Sequence, residues 1–178
     1  VCSSDLLGFE LTRLTGGLRY SPTLGGIDLS VEAFRRPVTS SLLSYAGRTD
    51  PASGRRWGGV TDSGVAFRVG RYEADASLSL ALRHSSLAGT SVASNTHTSV
   101  RVAADRTLLR PLGGDLSVGA VLAFESYSRN LLGYTFGSGG YFSPQSYTTL
   151  TLPLEWLREQ AGQSWRVRLT PTLTHRHD

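Results

Sequence analysis

The chain has 178 residues, of which 39% are hydrophobic and 18% are charged, and its formal net charge is +4. All 18 basic residues are arginine, and they are scattered along the chain. Because a nucleic-acid-binding surface usually clusters its basic residues on one face, we predict no nucleic-acid partner. The longest apolar runs are far shorter than the roughly 20 residues of a transmembrane helix, so no such helix is predicted in this sequence.

The first six residues, VCSSDL, match the translation of a common sequencing adapter, and we interpret residues 1–6 as a sequence scar. They contain Cys2, the only cysteine of the chain. Residues 7–178 are predicted to be part of one domain, and they contain no cysteine for a disulfide or a thiolate. A weak strand is predicted over residues 9–20, with a change of phase near Arg13 and Leu14 that indicates a bulge.

The main signal along the rest of the chain is an alternation of apolar and polar residues with period two. In a strand this pattern puts the apolar side chains on one face and the polar ones on the other. We predict about eight strands of roughly 10–12 residues, a length that suits a tilted strand crossing a bilayer. Their alternating segments are residues 9–20, 27–33, 65–69, 72–83, 99–105, 115–125, 147–156 and 165–173.

The connections between these strands alternate in length. Such an order is typical of outer-membrane barrels, which have short turns on one side and long loops on the other. We therefore predict an all-β fold, an up-and-down antiparallel transmembrane β-barrel of which this chain forms a part. Short connections are predicted at 21–26, 70–71, 109–114 and 157–163, and long ones at 36–57, 84–95 and 127–147.

Aromatic residues lie where the predicted strands meet the short turns. Tyr20, Tyr72, Trp156 and Trp165 are placed there, on apolar strand faces. Amphipathic rings are enriched at membrane interfaces, so we interpret the four as part of an aromatic girdle. The alternative interpretation is that they are ordinary core residues of a soluble β-sandwich.

Residues suited to catalysis are present but have no recognisable motif. His84 and His97 flank a predicted long loop, and Ser85, His97 and Asp105 could supply the three groups of a hydrolase. No nucleophile-elbow motif marks a serine, and two histidines are too few for a metal site. We predict no enzymatic activity, no cofactor and no metal, with a hydrolase at the rim of the barrel as the alternative.

The polar strand faces carry charges of both signs among Ser, Thr and Gly, and they are predicted to line the lumen. A strongly selective ion pore would show a ring of one sign, so this mixture favours a neutral, hydroxyl-rich polymer. Aromatic residues near the long loops could contact such a polymer or pack against the loops themselves. The candidate contact residues are Trp57, Tyr134, Phe136, Tyr141, Phe142 and Tyr147.

Three segments also resemble a known family. They are RRPVTSSLLSYAGRTDP at 35–51, WGGVTDSGV at 57–65 and LGYTFGSGGYFSPQSYTTLTLPLEW at 132–156. Together they resemble the C-terminal domain of cellulose synthase operon protein C, the outer-membrane exporter of bacterial cellulose, and GGYFSPQ is the most distinctive string. The resemblance runs from about Gly8 to Asp178.

The resemblance implies an outer-membrane channel that exports cellulose or a related glucan during biofilm formation. It also implies periplasmic tetratricopeptide repeats that link the barrel to the cellulose synthase complex of the inner membrane, and a complete barrel of about sixteen strands. The partners expected on this basis are the glucan, outer-membrane lipid and that complex.

Overall fold

A computed structural model describes residues 11, 13–109, 114–160 and 162–178. The residues interpreted as a scar, and part of the weak strand expected at 9–20, lie outside the described residues. The regular structure of these residues is almost entirely antiparallel β-sheet, with one short helix, α1 at Leu42–Ala46. The strands are β1 Gly16–Tyr20, β2 Thr23–Leu24, β3 Ile27–Pro37, β4 Arg48–Thr49, β5 Arg56–Tyr72, β6 Ala76–Thr90, β7 Val92–Leu109, β8 Asp115–Tyr127, β9 Ser146–Thr151, β10 Leu154–Gln160, β11 Gln163–Leu169 and β12 Thr172–His177.

These segments form eight long strands that pair in chain order. From β1 to β8 each long strand pairs with the next one, apart from the two short strands β2 and β4. β8 then pairs with both β9 and β10, which are two halves of one strand, and β12 and β11 complete the next one. The sheet is not closed. The prediction of about eight strands in an up-and-down, partial barrel is therefore confirmed.

Proline interrupts the last two long strands at the same level of the sheet. Pro153 separates β9 from β10, and Pro171 separates β11 from β12. A proline lacks the N–H that a strand donates to its neighbour. The carbonyl of Pro153 still accepts from the Gly119 N–H at 2.8 Å, and that of Pro171 accepts from Leu152 at 3.0 Å. Pro153 lies on the polar face, where the absence of a side chain on Gly119 makes room for its ring.

The two faces of the sheet differ as the alternation predicts. Across the middle of the sheet, Val102, Leu122 and Leu150 pair in one row, and all three are exposed. One residue further along each strand, the opposite face carries polar or small side chains. One face is thus apolar and uncovered over most of its height, and the other is polar.

One predicted loop is wrong. Residues 84–95 continue β6 and β7, which run on to a tight turn at Ser91, where φ is 49°. His84 pairs with Thr98, and Ser85 pairs with His97, so the histidines do not flank a loop. The polar composition of this segment resembled a loop, but its residues keep the period of two. β6 and β7 therefore have 15 and 18 residues, more than the expected 10–12.

The other connections that the structure describes follow the predicted order with shifted bounds, whereas most of the turn expected at 109–114 lies outside the described residues. The long connection after β3 contains α1, capped by Ser41, and the one after β8 spans 128–145. The turn expected at 70–71 lies at 73–75 instead. Because β5 continues to Tyr72, this ring lies over Gly70 on the polar face, which corrects its assignment to the apolar girdle. Tyr20, Trp156 and Trp165 do lie on the apolar face.

The buried residues gather at the end of the sheet that bears the long loops. A small core there consists of Val60, Leu87, Leu131 and Tyr141. β5 reaches this core through a bulge at Gly58 and Gly59, whose φ values of 100° and 58° suit glycine. We call this part of the molecule the loop-end core. It comprises these four core residues together with Trp57, α1 and the 128–145 loop.

Candidate functional site

The polar face of the sheet carries a series of ion pairs between neighbouring strands. Glu32 on β3 pairs with Arg19 on β1 and with Arg36, which lies four residues further along β3. Asp62 on β5 pairs with Arg83 on β6. Glu155 on β10 pairs with Arg166 and Arg168 on β11. The mixed charge predicted for this face is therefore organised into local pairs.

A groove of about 290 Å³ runs along this face in the middle of the sheet. Its charged lining consists of five arginines and two glutamates. Between them lie small side chains, including Ala66, Ala81 and Ala123, so the wall is open rather than filled. The charged lining residues are Arg19, Glu32, Arg36, Arg68, Arg83, Arg101 and Glu125.

The candidate residue Tyr141 is fully buried in the loop-end core, with 2% of its surface exposed. Its hydroxyl accepts a hydrogen bond from the Asn95 side chain at 3.1 Å, and its ring packs against Tyr127. Burial raises the pKa of the Tyr141 phenol above its ordinary value, although the hydrogen bond from Asn95 opposes this shift. Tyr141 therefore holds the loop in place and is not available to a ligand in this conformation.

Asn95 is the residue that the sequence prediction missed. Its side chain accepts from the Ser128 hydroxyl and the Arg129 N–H, and it donates to the Arg129 carbonyl. The sequence places it in a predicted loop. However, it is separated by an even number of residues from the polar residues of β7, which indicates that its side chain lies on the polar face of the sheet. One buried amide thus fixes the start of the 128–145 loop.

Trp57 is also buried, and it lies in β5 rather than in the preceding loop. Its indole N–H donates to the Ser138 carbonyl at 2.6 Å, and its ring lies 6.0 Å from that of Phe136. The outer part of this cluster is accessible. Phe136 and Tyr134 have 43% and 67% of their surface exposed, and the Arg55 guanidinium lies over the Phe136 ring at 4.9 Å.

Phe142 and Tyr147 form a second aromatic pair beside the loop-end core. Their rings meet edge to face at 5.3 Å, and Arg176 lies over the Phe142 ring at 5.3 Å. Tyr147 pairs with Glu125 and therefore lies on the polar face of the sheet. All six candidate residues are at the long-loop end, but two of them are buried and four present accessible ring surface.

The three residues that could form a hydrolase triad do not come together in the structure. Ser85 and His97 are cross-strand neighbours, but Asp105 lies eight residues further along β7 and accepts from Ser77. His97 instead lies 3.7 Å from Glu125 and stacks on Tyr127. The Ser85 hydroxyl is buried and bonds to neither imidazole nitrogen. A nucleophile needs a base within hydrogen-bond reach and access to substrate, and this serine has neither.

Within the described ranges, no three His, Cys, Asp or Glu side chains converge in a way that could hold a metal ion. The only helix found there is far too short to span a bilayer.

Comparison with known proteins gives a consistent result. Residues 3–178 match the family described as Cellulose synthase operon protein C C-terminus. A relative called cellulose synthase operon protein C from Xanthomonas axonopodis pv. citri is 38% identical over 97% of this chain. Cellulose synthase 2 operon protein C from Komagataeibacter xylinus is 36% identical over 93%, and the Escherichia coli K12 cellulose synthase operon protein C is 29% identical over 95%.

This chain covers only a small part of these relatives, namely 12%, 13% and 15% of their lengths. The match nevertheless extends over nearly the whole chain, and it includes the three segments that carried the resemblance. All three relatives are named after cellulose synthase operons. The chain belongs to the family of cellulose synthase operon protein C C-terminal domains.

Proposed function

We propose that this chain forms part of the wall of an outer-membrane channel that exports cellulose or a related glucan. The observation that carries the proposal is the sheet itself. It has eight long antiparallel strands in chain order, with an uncovered apolar face and a polar face. In water such an apolar surface would be costly, whereas a bilayer accepts it. Family membership supplies the link to cellulose.

On this proposal the apolar face meets outer-membrane lipid and the polar face lines the lumen. Tyr20, Trp156 and Trp165 lie at the interface near the short turns, on the periplasmic side. The long loops lie on the cell surface. The full-length protein connects the channel to the cellulose synthase complex of the inner membrane and contributes to biofilm formation. The channel itself catalyses no reaction.

The accessible aromatic rings near the loops are proposed as contacts for the emerging glucan. Sugar rings stack on aromatic faces through their apolar C–H surface. Tyr134, Phe136, Phe142 and Tyr147 offer such faces, and Tyr147 does so on the lumen side. Trp57 and Tyr141 are buried, and through their hydrogen bonds they hold the loop that carries Tyr134, Phe136 and Phe142.

Export can be tested by narrowing the lumen in the full-length protein. Replacing Ala66, Ala81 and Ala123 with Trp adds three large side chains to the groove of the polar face. We expect cells that carry this triple variant to secrete much less glucan than wild type. Secreted glucan is measured in a strain that lacks the chromosomal gene. Heat-modifiable migration on a gel checks that the barrel is assembled.

The matched control replaces the next residue of each strand. Phe67, Leu82 and Phe124 follow the three alanines and lie on the apolar face. Their triple Trp variant should secrete glucan as wild type does, because lipid accepts the larger rings. Equal secretion by the two assembled triple variants would contradict the assignment of the polar face to the lumen.

A further inference from the structure

Two arginines in the middle of the polar face differ from the others. Arg68 on β5 and Arg101 on β7 both line the central groove and are exposed. Within the part of the chain that the structure describes, neither makes a hydrogen bond, an ion pair or a ring contact. In the adjacent rows, Glu32 pairs with two other arginines, Asp28 accepts from the Thr23 hydroxyl, and Glu125 lies 3.7 Å from His97.

The pairing register places these two side chains in the same row across the sheet. Arg68 pairs with Ala81, and Ala81 pairs with Arg101, so one strand separates the two arginines. Neighbouring strands lie about 4.8 Å apart, which puts the two backbones roughly 10 Å from each other. The intervening alanine leaves the space between the guanidinium groups open. Two long side chains at this separation can reach one ligand.

The whole row is free of acidic residues. Along the described strands it contains only hydroxyl or methyl side chains besides the two arginines, and a carboxylate that could neutralise them is missing from it. The members of the row are Ser30, Arg68, Ala81, Arg101, Ala123, Thr149 and Thr174.

We propose that Arg68 and Arg101 form an oxyanion-binding site in the channel wall, which accepts a carboxylate or phosphate group. A guanidinium binds such groups with two parallel hydrogen bonds, and the neighbouring threonine and serine hydroxyls can supply further ones. This inference rests on the proposed channel function. It modifies the expectation of a purely neutral cargo, because the site favours a glucan that bears acidic substituents, or a free anion that enters the lumen.

Binding to the purified full-length protein tests the site. Calorimetry in detergent compares cellohexaose, carboxymethylated cellohexaose and inorganic phosphate. We expect the carboxymethylated oligosaccharide to bind about tenfold or more tightly than the neutral one. In the double variant R68Q/R101Q this preference should disappear. If phosphate competes with the oligosaccharide, the site takes free oxyanions as well, and if it does not, the site takes oxyanions carried on a glucan. Both results support the proposal.

A control variant with the same change of charge is available on the other face. Arg71 and Arg106 pair with Leu78 and Val118 on the apolar face, near the short turns. R71Q/R106Q should keep the preference for the acidic oligosaccharide. Equal affinities of the two oligosaccharides for the wild type, or a preference that persists in R68Q/R101Q, would overturn the inference. The channel function is tested separately, by glucan secretion from cells that carry the triple Trp variants. Equal secretion by those variants would contradict the channel function and would leave the binding result unchanged.

Discussion

The loop-end core and the middle of the sheet are held together in different ways. In the loop-end core, Val60 and Tyr141 are almost fully buried and polar groups such as Asn95 have several partners. In the middle of the sheet, apolar residues such as Leu122 are half exposed, and the edge strand formed by β11 and β12 is exposed along its whole length. The loop-end core is packed like the interior of a soluble protein. The middle of the sheet is held by backbone hydrogen bonds between strands, and its side chains are uncovered.

This difference indicates that the two regions depend on different surroundings. Burial of apolar side chains stabilises the loop-end core in water. The middle of the sheet lacks such a core, and on the proposed function its apolar face gains stability where lipid covers it. Mutations should therefore act on the two regions separately, and the following four predictions are ordered from the largest expected effect to the smallest.

Tyr141→Ala should open the loop-end core. The change removes a buried ring and leaves the Asn95 amide without one partner, which we expect to cost about 3–5 kcal/mol of local stability. Hydrogen exchange at the amides of Leu131 and Gly139 measures this loss. Tyr141→Phe is the control and should cost only about 1 kcal/mol. An equal loss at amides of β11 would show that the two regions are not separate.

Leu122→Arg should destabilise the middle of the sheet through its lipid contact. An arginine on the lipid face near the midplane costs about 2–4 kcal/mol. Urea titration of the full-length protein in lipid vesicles measures the effect. Ala123→Arg, at the next residue and on the polar face, serves as the control. If both variants lose the same stability, the apolar face is not the one that meets lipid.

Trp57→Phe tests a single contact within the loop-end core. It keeps most of the ring but removes the hydrogen bond to the Ser138 carbonyl, with an expected loss of about 0.5–1.5 kcal/mol. Exchange of the Gly140 amide is the readout, because this amide bonds to the Leu131 carbonyl in the same loop. Faster exchange confined to residues 131–140 is expected, and no change there would contradict the role of the indole N–H.

The smallest effect is expected at Asp50, which organises the turn before β5. The hydroxyl and N–H of Ser53 and the N–H of Ala52 donate to its carboxylate and lower the pKa of Asp50 below its ordinary value. A lowered folded-state pKa means that the turn is stabilised above the ordinary aspartate pKa and loses this stability as the pH falls through the lowered one. Amide exchange at Ser53 should follow this dependence, and Asp50→Asn should abolish it.

The sequence allowed the regular part of the fold to be predicted, because period two directly reports which side chains share a face. Eight strands and the division into an apolar and a polar face followed from it. The loop-end core could not be predicted in this way. Asn95 and His97 lie in a part of β7 whose polar composition is typical of a loop. The partners of Tyr141 come from β7 and β8, which precede it in the sequence. The prediction for Tyr72 was wrong because β5 continues beyond its last alternating apolar residue, Val69, and carries Tyr72 onto the polar face.

The central claim is that the polar face lines a channel whose long loops are at the cell surface. Cysteine labelling of the full-length protein in intact cells, in a background without other cysteines, tests it most directly. A cysteine at Tyr134, in the long loop after β8, should react with a membrane-impermeant maleimide, and one at Gly162, in the turn between β10 and β11, should react only after the outer membrane is opened. The reverse pattern, or equal labelling at both sites, would contradict the account.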